Sequence, residues 1–97
     1  MMVHIYDRIL EEFRKSNFKK SYDLALNLNH EGLNKNILTI LTISSFNLQK
    51  YSDSIKYGLM LFETYNVKND LQLLNILGTS YSIINDYKNG NYFFDKY

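Results

Sequence analysis

Residue types that carry catalytic or metal chemistry are scarce in this chain. It has two histidines and no cysteine, so a disulfide framework, a thiolate nucleophile and a sulfur-ligated metal are excluded. His30 and Glu31 begin like the zinc-protease helix His-Glu-x-x-His, but Asn34 stands at the place of the second histidine, with Gly32 in between. The other imidazole, His4, has no second histidine near it in sequence. We therefore expect no metal site and no cofactor.

Groups that could form a catalytic set show no suitable spacing. The glycines, which build phosphate-binding loops when they cluster, are scattered at positions 32, 58, 78 and 90. A nucleophile and its base would have to come from Ser or Tyr with a carboxylate, and no spacing suggests such a set. We expect a protein without enzymatic activity.

A small basic cluster lies in the first predicted turn and is formed by Arg14, Lys15, Lys19 and Lys20. It could contact a phosphate or an acidic peptide, and Lys19 and Lys20 at the start of a helix would oppose its dipole. The simpler interpretation is a solvated turn whose first two cations offset the negative end of the first helix. Eleven basic against ten acidic residues give a net charge of +1, so the strong positive charge typical of nucleic-acid binding is missing.

Length and composition describe one soluble globular domain over residues 1–97, with 45% hydrophobic and 22% charged residues. The longest apolar stretch, residues 37–48, is interrupted by Thr and Ser and falls short of the ~20 residues of a membrane span. Asp7 and Arg8 stand where a signal peptide would be apolar. We expect a cytoplasmic protein that binds neither membrane nor nucleic acid.

Hydrophobic residues recur mostly with helical spacing, and polar residues separate the helical segments. Residues 37–43 include several β-branched side chains, which are common in strands. The helical spacing of Leu38, Leu41, Ser45 and Leu48 favours a helix instead. Asn66 is expected in the left-handed conformation that ends a helix, and Asp70 is expected to cap the next one. The pattern predicts an all-α protein with six helices, at residues 3–15, 18–29, 35–48, 52–65, 71–84 and 87–97.

The predicted second, fourth and sixth helices begin alike, each with an aromatic residue followed three positions later by a small one. The segments are Phe18-Lys-Lys-Ser21, Tyr51-Ser-Asp-Ser54 and Tyr87-Lys-Asn-Gly90. The aromatic residues are 33 and then 36 positions apart. These spacings bracket the period of about 34 residues that is typical of repeats built from two helices.

The third unit carries the strongest motif. It reads Leu74-x-x-Leu77-Gly78-x-x-Tyr81, then Gly90-x-x-x-Phe94. This unit resembles the tetratricopeptide repeat (TPR) pattern Trp-x-x-Leu-Gly-x-x-Tyr, then Ala-x-x-x-Phe, with Trp and Ala replaced and the family's proline missing. Small Gly78 and Gly90 are expected to let the two helices approach closely, with Leu77, Tyr81 and Phe94 filling the space between them.

The other two units match the pattern less well. The second has Leu38-x-x-Leu41-Thr42-x-x-Ser45, then Ser54-x-x-x-Gly58. The first has Tyr6-x-x-Ile9-Leu10-x-x-Phe13, then Ser21-x-x-x-Ala25, and needs one residue deleted within positions 15–17 to stay in register. The resemblance implies a right-handed solenoid of three helical hairpins, at about residues 3–29, 35–65 and 71–97.

The TPR resemblance implies a function as well. In such solenoids the first helix of each hairpin lines a concave groove that accepts a peptide or a protein segment. The corresponding groove residues are Asp7, Glu11 and Arg14 in the first unit, Asn36, Thr39, Ile43 and Phe46 in the second, and Gln72, Asn75, Thr79 and Ser82 in the third. Ile43 and Phe46 have a second interpretation, as core residues of a helix in a different register. The resemblance therefore implies a non-catalytic protein-binding or peptide-binding module, or scaffold.

The last predicted helix is rich in aromatic residues, with Tyr92, Phe93, Phe94 and Tyr97. An uncovered terminal helix of this kind presents an apolar patch that often marks an interaction site. We expect self-association, as a homodimer, through a two-fold contact of these helices.

An alternative function is a small oligomeric regulator or sequestering protein that binds a signalling peptide or small ligand. Residues 51–95 resemble in style the TPR domains of peptide-sensing regulators of Gram-positive bacteria and their phages, with similar Ser-Ile-Lys-Tyr and Asn-Asp-Leu-Gln segments. The DNA-binding domain that many of those regulators carry is not part of the sequence. The two functions differ in the size of the partner, which is a protein for the interaction module and a peptide or small molecule for the regulator.

Overall fold

The fold of the chain comes from a computed structural model, which describes residues 2–28 and 33–97. All regular structure in these two ranges is helical, as predicted. The six helices are α1 (Met2–Arg14), α2 (Phe18–Leu26), α3 (Lys35–Asn47), α4 (Tyr51–Thr64), α5 (Leu71–Ile83) and α6 (Tyr87–Lys96). The predicted interruption around His30, Glu31 and Gly32, including the failed zinc motif, lies outside the described residues.

The predicted helix boundaries agree with the structure to within one residue, except at the end of α2. This helix ends at Leu26, three residues earlier than predicted. The amides of Asn27 and Leu28 bond to carbonyls three residues back, at 3.3 and 3.1 Å, which is the tighter pattern found where helices end. The polar residues that follow therefore begin the connection before position 29.

The β-branched segment 37–43 lies in α3, so the helical interpretation is confirmed. Ile37, Ile40 and Leu41 of this helix are buried, and burial outweighs the weak intrinsic preference of the β-branched residues. Thr42 Oγ1 donates to the Leu38 carbonyl at 2.7 Å. The buried hydroxyl is thus satisfied inside its own helix.

Three residues connect α1 to α2, α3 to α4 and α5 to α6, and the middle residue of each turn is left-handed. These residues are Ser16, Gln49 and Asn85, with φ of 63°, 61° and 69°. In every turn the next amide reaches a carbonyl five residues back, at 2.9, 2.8 and 2.8 Å. This is the Schellman arrangement that closes the C-terminus of a helix. The three helix pairs are therefore joined by the same turn.

The loop between α4 and α5 follows the sequence prediction. Asn66 is left-handed, with φ of 52°, and the Asp70 side chain accepts from the Leu73 amide at 3.1 Å. Asp86 caps α6 in the same way, through the Asn89 amide, and Asn34 caps α3 through the Ile37 amide. Each cap satisfies an amide that the first turn of a helix leaves unpaired.

Helices pack mainly against their neighbours in the chain, and α3 also contacts α5. The described part of the chain is elongated and measures 45 × 25 × 20 Å. A core of aliphatic side chains runs through the interfaces, with Ile9, Ile37, Leu41, Leu74 and Leu77 almost fully buried. Burial of such a side chain contributes roughly 1.5–3 kcal/mol.

The equal turns correct the register of the first unit. The residues seven positions before the left-handed residue of each turn are Ile9, Thr42 and Gly78. Ile9 is therefore equivalent to Thr42 and Gly78. The deletion expected within positions 15–17 is wrong, because that turn is as long as the other two. The family pattern favours Leu10 at this position because Ile9 before it resembles the leucine of the pattern, whereas the turn, which sets the spacing, places Ile9 there.

Small residues lie five positions after each left-handed residue and allow close packing. Ser21 and Ser54 are fully buried. A Cβ on Gly90, the third of them, would lie 2.6 Å from Ser82 Oγ and 3.1 Å from the Gly78 carbonyl oxygen. The close approach of α5 and α6 therefore leaves no room for a methyl group at Gly90.

Buried hydroxyl pairs connect neighbouring helices. Ser45 and Ser54 join α3 to α4 with an Oγ–Oγ distance of 2.8 Å. Ser21 and Ser44 join α2 to α3 at 3.1 Å. Ser80 occupies in α5 the position that Ser44 has in α3, five residues before the left-handed residue, but its buried Oγ has no partner among the described residues.

The turn geometry predicts that Gln49→Gly stabilises the protein. A residue with a side chain pays about 1 kcal/mol or more in the left-handed region, and glycine does not. We expect the free energy of unfolding to rise by ~0.5–1 kcal/mol in urea denaturation. Asn47→Gly, two residues earlier in the right-handed helix, is the control and should lose about 0.3 kcal/mol, the difference in helix propensity between asparagine and glycine. A loss of stability in Gln49→Gly would contradict the assigned turn.

The unpaired hydroxyl predicts opposite effects at two matched serines. Ser80→Ala removes a buried group without a partner, and we expect the unfolding free energy to rise by ~0.5–1 kcal/mol. Ser44→Ala breaks the bond to Ser21, and we expect it to be about 1 kcal/mol less stable than Ser80→Ala. Both changes alter helix propensity equally. The difference in unfolding free energy between the two variants, measured by thermal or urea unfolding, therefore reports the contribution of the Ser21–Ser44 hydrogen bond. Equal stability of the two variants would argue against the assigned pairing.

Candidate functional site

A cleft lies between α3 and α5 and is bordered by the segment that joins α4 to α5. Its cavity volume is about 40 Å³, and the depression widens into open solvent. Its lining residues are Lys35, Thr39, Thr42, Ile43, Leu61, Val67, Asp70, Gln72, Leu73 and Ile76. The cleft is therefore formed by α3, α5, Leu61 of α4 and the loop between α4 and α5.

Helical periodicity brings the α3 wall together. Lys35, Thr39 and Ile43 follow one another at intervals of four residues and Thr42 comes three residues after Thr39, so all four lie on one side of the helix. Thr39 Oγ1 donates to the Lys35 carbonyl at 2.8 Å, which directs the threonine methyl group away from that carbonyl. This wall presents short side chains, with one cation at its N-terminal end.

The opposite wall begins at the N-terminus of α5. Asp70 is fixed there because its Oδ1 accepts the Leu73 amide, and Gln72 follows on the exposed side of the first turn. Leu73 and Ile76 are buried, as is Leu61 of α4. The cleft therefore has an aliphatic floor beneath an ammonium, a carboxylate and a carboxamide.

This arrangement offers both apolar and hydrogen-bonding contacts. Aliphatic side chains bind in apolar depressions, and an amide such as that of Gln72 both donates to and accepts from a peptide backbone. One cation and one anion at the rim give the cleft no net charge. Among the lining residues in the described ranges there is no histidine or cysteine.

Three of the sequence-predicted groove residues meet in the cleft: Thr39, Ile43 and Gln72. Asn36 and Asn75 are exposed but do not line it. Phe46 is half-buried and packs edge-on against Tyr51, with ring centroids 5.8 Å apart. Its ring therefore serves the contact between α3 and α4.

The remaining α5 positions bond within their own helix. Thr79 Oγ1 donates to Asn75 Oδ1 at 3.4 Å, and Ser82 Oγ donates to the Gly78 carbonyl at 2.9 Å. The three α1 positions, Asp7, Glu11 and Arg14, are exposed and lie outside the cleft. The predicted groove residues that line the cleft therefore belong to α3 and to the start of α5.

Sequence reasoning missed seven lining residues: Lys35, Thr42, Leu61, Val67, Asp70, Leu73 and Ile76. Asp70 was identified as a helix cap, but not as part of a site. Val67 is an isolated apolar residue in a polar loop between two helices, a signal that could have indicated a loop folded back against the core. Such a loop closes one side of a groove that first helices alone would leave open.

The aromatic residues of the last helix point in different directions. Phe93 is 4% exposed and packs between Phe62 and Tyr81, at centroid distances of 5.2 and 5.8 Å. It belongs to the core and is not available to a partner. Tyr92 and Tyr97 are exposed, while the Phe94 ring lies over Gly78 and is 38% exposed.

Carboxylates neutralise most of the basic cluster in the first turn. Lys15 pairs with Glu11 at 2.9 Å, Lys19 with Asp23 at 3.1 Å and Lys20 with Glu12 at 3.5 Å. Arg14, the fourth cation, lies at the C-terminal end of α1, where its positive charge compensates the negative end of the helix dipole. The solvated-turn interpretation accounts for these contacts.

Glu12 is the least exposed carboxylate of this network, at 8%. Its Oε1 accepts from the Asn17 side-chain amide at 2.9 Å. This hydrogen bond, together with the charges of Lys20 and Lys15, lowers the pKa of Glu12, and partial desolvation opposes the effect. The network holds the start of α2 against α1.

Two further properties concern only the part of the chain that the structure describes. Within it, no group of three His, Asp or Glu side chains could hold a metal ion. No helix among these residues has the length and apolarity that crossing a membrane requires.

The lowered pKa of Glu12 predicts an acid-sensitive contribution to stability. A carboxyl group with a depressed folded-state pKa stabilises the fold above its unfolded value of about 4.3, and this stabilisation is lost as pH falls through the folded value. We expect Glu12→Gln to be less stable than the native chain at pH 7, and the difference to shrink below pH ~4. Chemical denaturation at a series of pH values measures it.

The exposed Glu63 of α4 provides the control. The unfolding free energy of Glu63→Gln should depend on pH in the same way as that of the native chain. A Glu12→Gln difference that stays constant from pH 7 to pH 3 would show that the charge of Glu12 contributes nothing.

Comparison with known proteins gives no relative. The chain matches no protein-family model, no curated protein and no solved structure.

Proposed function

We propose that this chain is a non-catalytic interaction module that holds a peptide or a segment of a partner protein in the cleft between α3 and α5. The observation that carries the proposal is the cleft itself. It has an aliphatic floor and a polar rim, and Thr39, Ile43 and Gln72 line it at positions that the TPR pattern assigns to a groove.

The proposed architecture is a TPR-like solenoid of three helical hairpins. Three features support it: identical three-residue turns, a register that places small residues five positions after each turn, and packing mainly between consecutive helices. In such a stack the first helices share one side of the molecule. The contact between α3 and α5 agrees with this arrangement.

Chemistry of the rim favours a ligand that is bound through its backbone. The Gln72 carboxamide offers a donor and an acceptor, whereas Lys35 and Asp70 carry opposite charges that balance. The floor of Leu61, Leu73 and Ile76 favours one aliphatic side chain. The ligand is therefore a segment with an aliphatic anchor, bound without a requirement for net charge.

The second part of the proposal is self-association through the C-terminal helix pair. Among the described residues, seven of the nine exposed large hydrophobic side chains belong to α5, α6, their turn or the residue after α6: Leu71, Ile83, Ile84, Tyr87, Tyr92, Phe94 and Tyr97. Exposed apolar side chains concentrated in one part of a small protein are typical of an interaction surface. A homodimer would cover part of them.

A library of random twelve-residue peptides displayed on phage tests the cleft. We expect the native chain to enrich peptides that share an aliphatic residue, and Ile43→Arg, which fills the cleft and charges it, to weaken their binding at least tenfold. Ser52→Arg is the matched control, because it adds the same side chain to an exposed site on α4 outside the cleft. Fluorescence anisotropy with the enriched peptides gives the affinities.

Circular dichroism would establish that both variants keep the native helix content. Enriched peptides that bind Ile43→Arg as tightly as the native chain would overturn the assignment of the cleft. The same holds if no peptide is enriched.

A further inference from the structure

The threonine hydroxyls of the α3 wall are bonded to the backbone of their own helix. Thr39 Oγ1 donates to the Lys35 carbonyl at 2.8 Å, and Thr42 Oγ1 donates to the Leu38 carbonyl at 2.7 Å. A threonine hydroxyl has a single hydrogen to donate. These two side chains therefore offer no donor to a ligand, although both line the cleft.

Each wall of the cleft is polar at the N-terminal end of its helix and apolar farther along. On α3, Ile43 comes two turns after Lys35, which is roughly 12 Å along the helix. On α5, Ile76 comes one turn after Gln72, roughly 6 Å along. A ligand that satisfies both walls therefore has a hydrogen-bonding group and an aliphatic group a few ångströms apart, as an amino-acid residue of a peptide does.

The loop that borders the cleft is held by its backbone. Asn66 is left-handed, with φ of 52°, and the Val67 carbonyl accepts from the Asp70 amide at 3.1 Å. Asp70 in turn caps α5 through the Leu73 amide. Val67 is half-buried and packs against the core. Its place at the border is therefore fixed, and its two methyl groups limit the width of the cleft on the loop side.

The volume of the cleft limits what can enter it. The cavity measures about 40 Å³. A group of the size of a water molecule needs roughly 10–15 Å³ by this measure, so the cavity accommodates about three such groups. The branched side chains of valine, leucine and isoleucine are close to this size. An aromatic ring is larger and rigid, and it cannot fold into the space.

Charge in the cleft favours a neutral group. Leu61, Leu73 and Ile76 form a buried aliphatic floor, on which a charged group without a partner is strongly unfavourable. The rim charges of Lys35 and Asp70 are exposed and opposite in sign. They give no net attraction to an ion of either sign.

We propose that the cleft holds one neutral, branched aliphatic side chain of the ligand, that of valine, leucine or isoleucine. The backbone amides of that residue lie beside Gln72, and Val67 is the residue that excludes aromatic side chains. This inference rests on the proposed function, because it names the side chain that the cleft between α3 and α5 selects.

Two blocked amino acids test the selection on the full chain: N-acetyl-leucine amide and N-acetyl-phenylalanine amide. Both are neutral and carry the same two amides. Leucine and phenylalanine side chains gain similar free energy on burial, so an apolar surface without a size limit would bind the two probes alike. We expect the leucine probe to shift the NMR methyl signals of Ile43, Leu61 and Ile76, with a Kd at least fivefold lower than that of the phenylalanine probe.

Variants of Val67 test its role. Val67→Ala widens the loop side of the cleft, and we expect the affinity for the phenylalanine probe to rise at least threefold relative to the leucine probe. Val67→Thr keeps the shape of the side chain and should keep the native preference. Leu24→Ala shortens a half-buried side chain of α2 outside the cleft and should also leave the preference unchanged. The methyl spectrum of each variant establishes that it is folded.

The possible failures point to different errors. Equal affinity of the native chain for the two probes would overturn the size selection, and an unchanged preference in Val67→Ala would overturn the role of Val67. If neither probe shifts the cleft methyl signals while the phage-derived peptides still bind there, the aliphatic anchor is wrong and the proposed function stands. The proposed function fails only when the library enriches no peptide that depends on the cleft.

Discussion

The left-handed residue in each three-residue turn fixes the register between paired helices. Ser16, Gln49 and Asn85 adopt this conformation, and the amide after each of them closes the preceding helix through a carbonyl five residues back. Once this bond is made, the second helix can begin at only one place relative to the first. Positions at a fixed distance from the turn then meet in every pair, which is why Ser21, Ser54 and Gly90 are all buried.

Close packing at those positions explains the polar character of the interfaces. Serine is small enough for two helices to approach, but its hydroxyl needs a partner when it is buried. Ser45 and Ser54 provide one for each other, and Thr42 finds one in its own helix. In the third pair, glycine removes the hydroxyl altogether and the Phe94 ring fills the space over Gly78. The same geometric requirement is met by two chemical solutions.

Much of the fold could be predicted from the sequence because its signals are local. Helical periodicity, the caps at Asp70 and Asp86, and the left-handed Asn66 and Asn85 depend on a few neighbouring residues. Ser16 and Gln49 were harder to identify, since neither residue type favours the left-handed region and only the fold imposes it. That is also why motif matching misplaced Ile9 by one position.

The candidate site was less predictable because it depends on tertiary placement. Thr39, Ile43 and Gln72 were identified through the family pattern, whereas Val67 reaches the cleft only because a loop folds against the helices. Phe93 shows the opposite error. Four aromatic residues in six positions suggest a single patch, but helical periodicity turns neighbouring side chains about 100° apart. Phe93 therefore enters the core while Tyr92 and Phe94 remain at the surface.

The cleft depends on the packing within one chain. α3 and α5 contact each other, and Val67 and Asp70 of the loop between α4 and α5 border the space between them. A loop in this place limits access from one side, so the shape of the cleft is set by the fold and does not depend on a second copy.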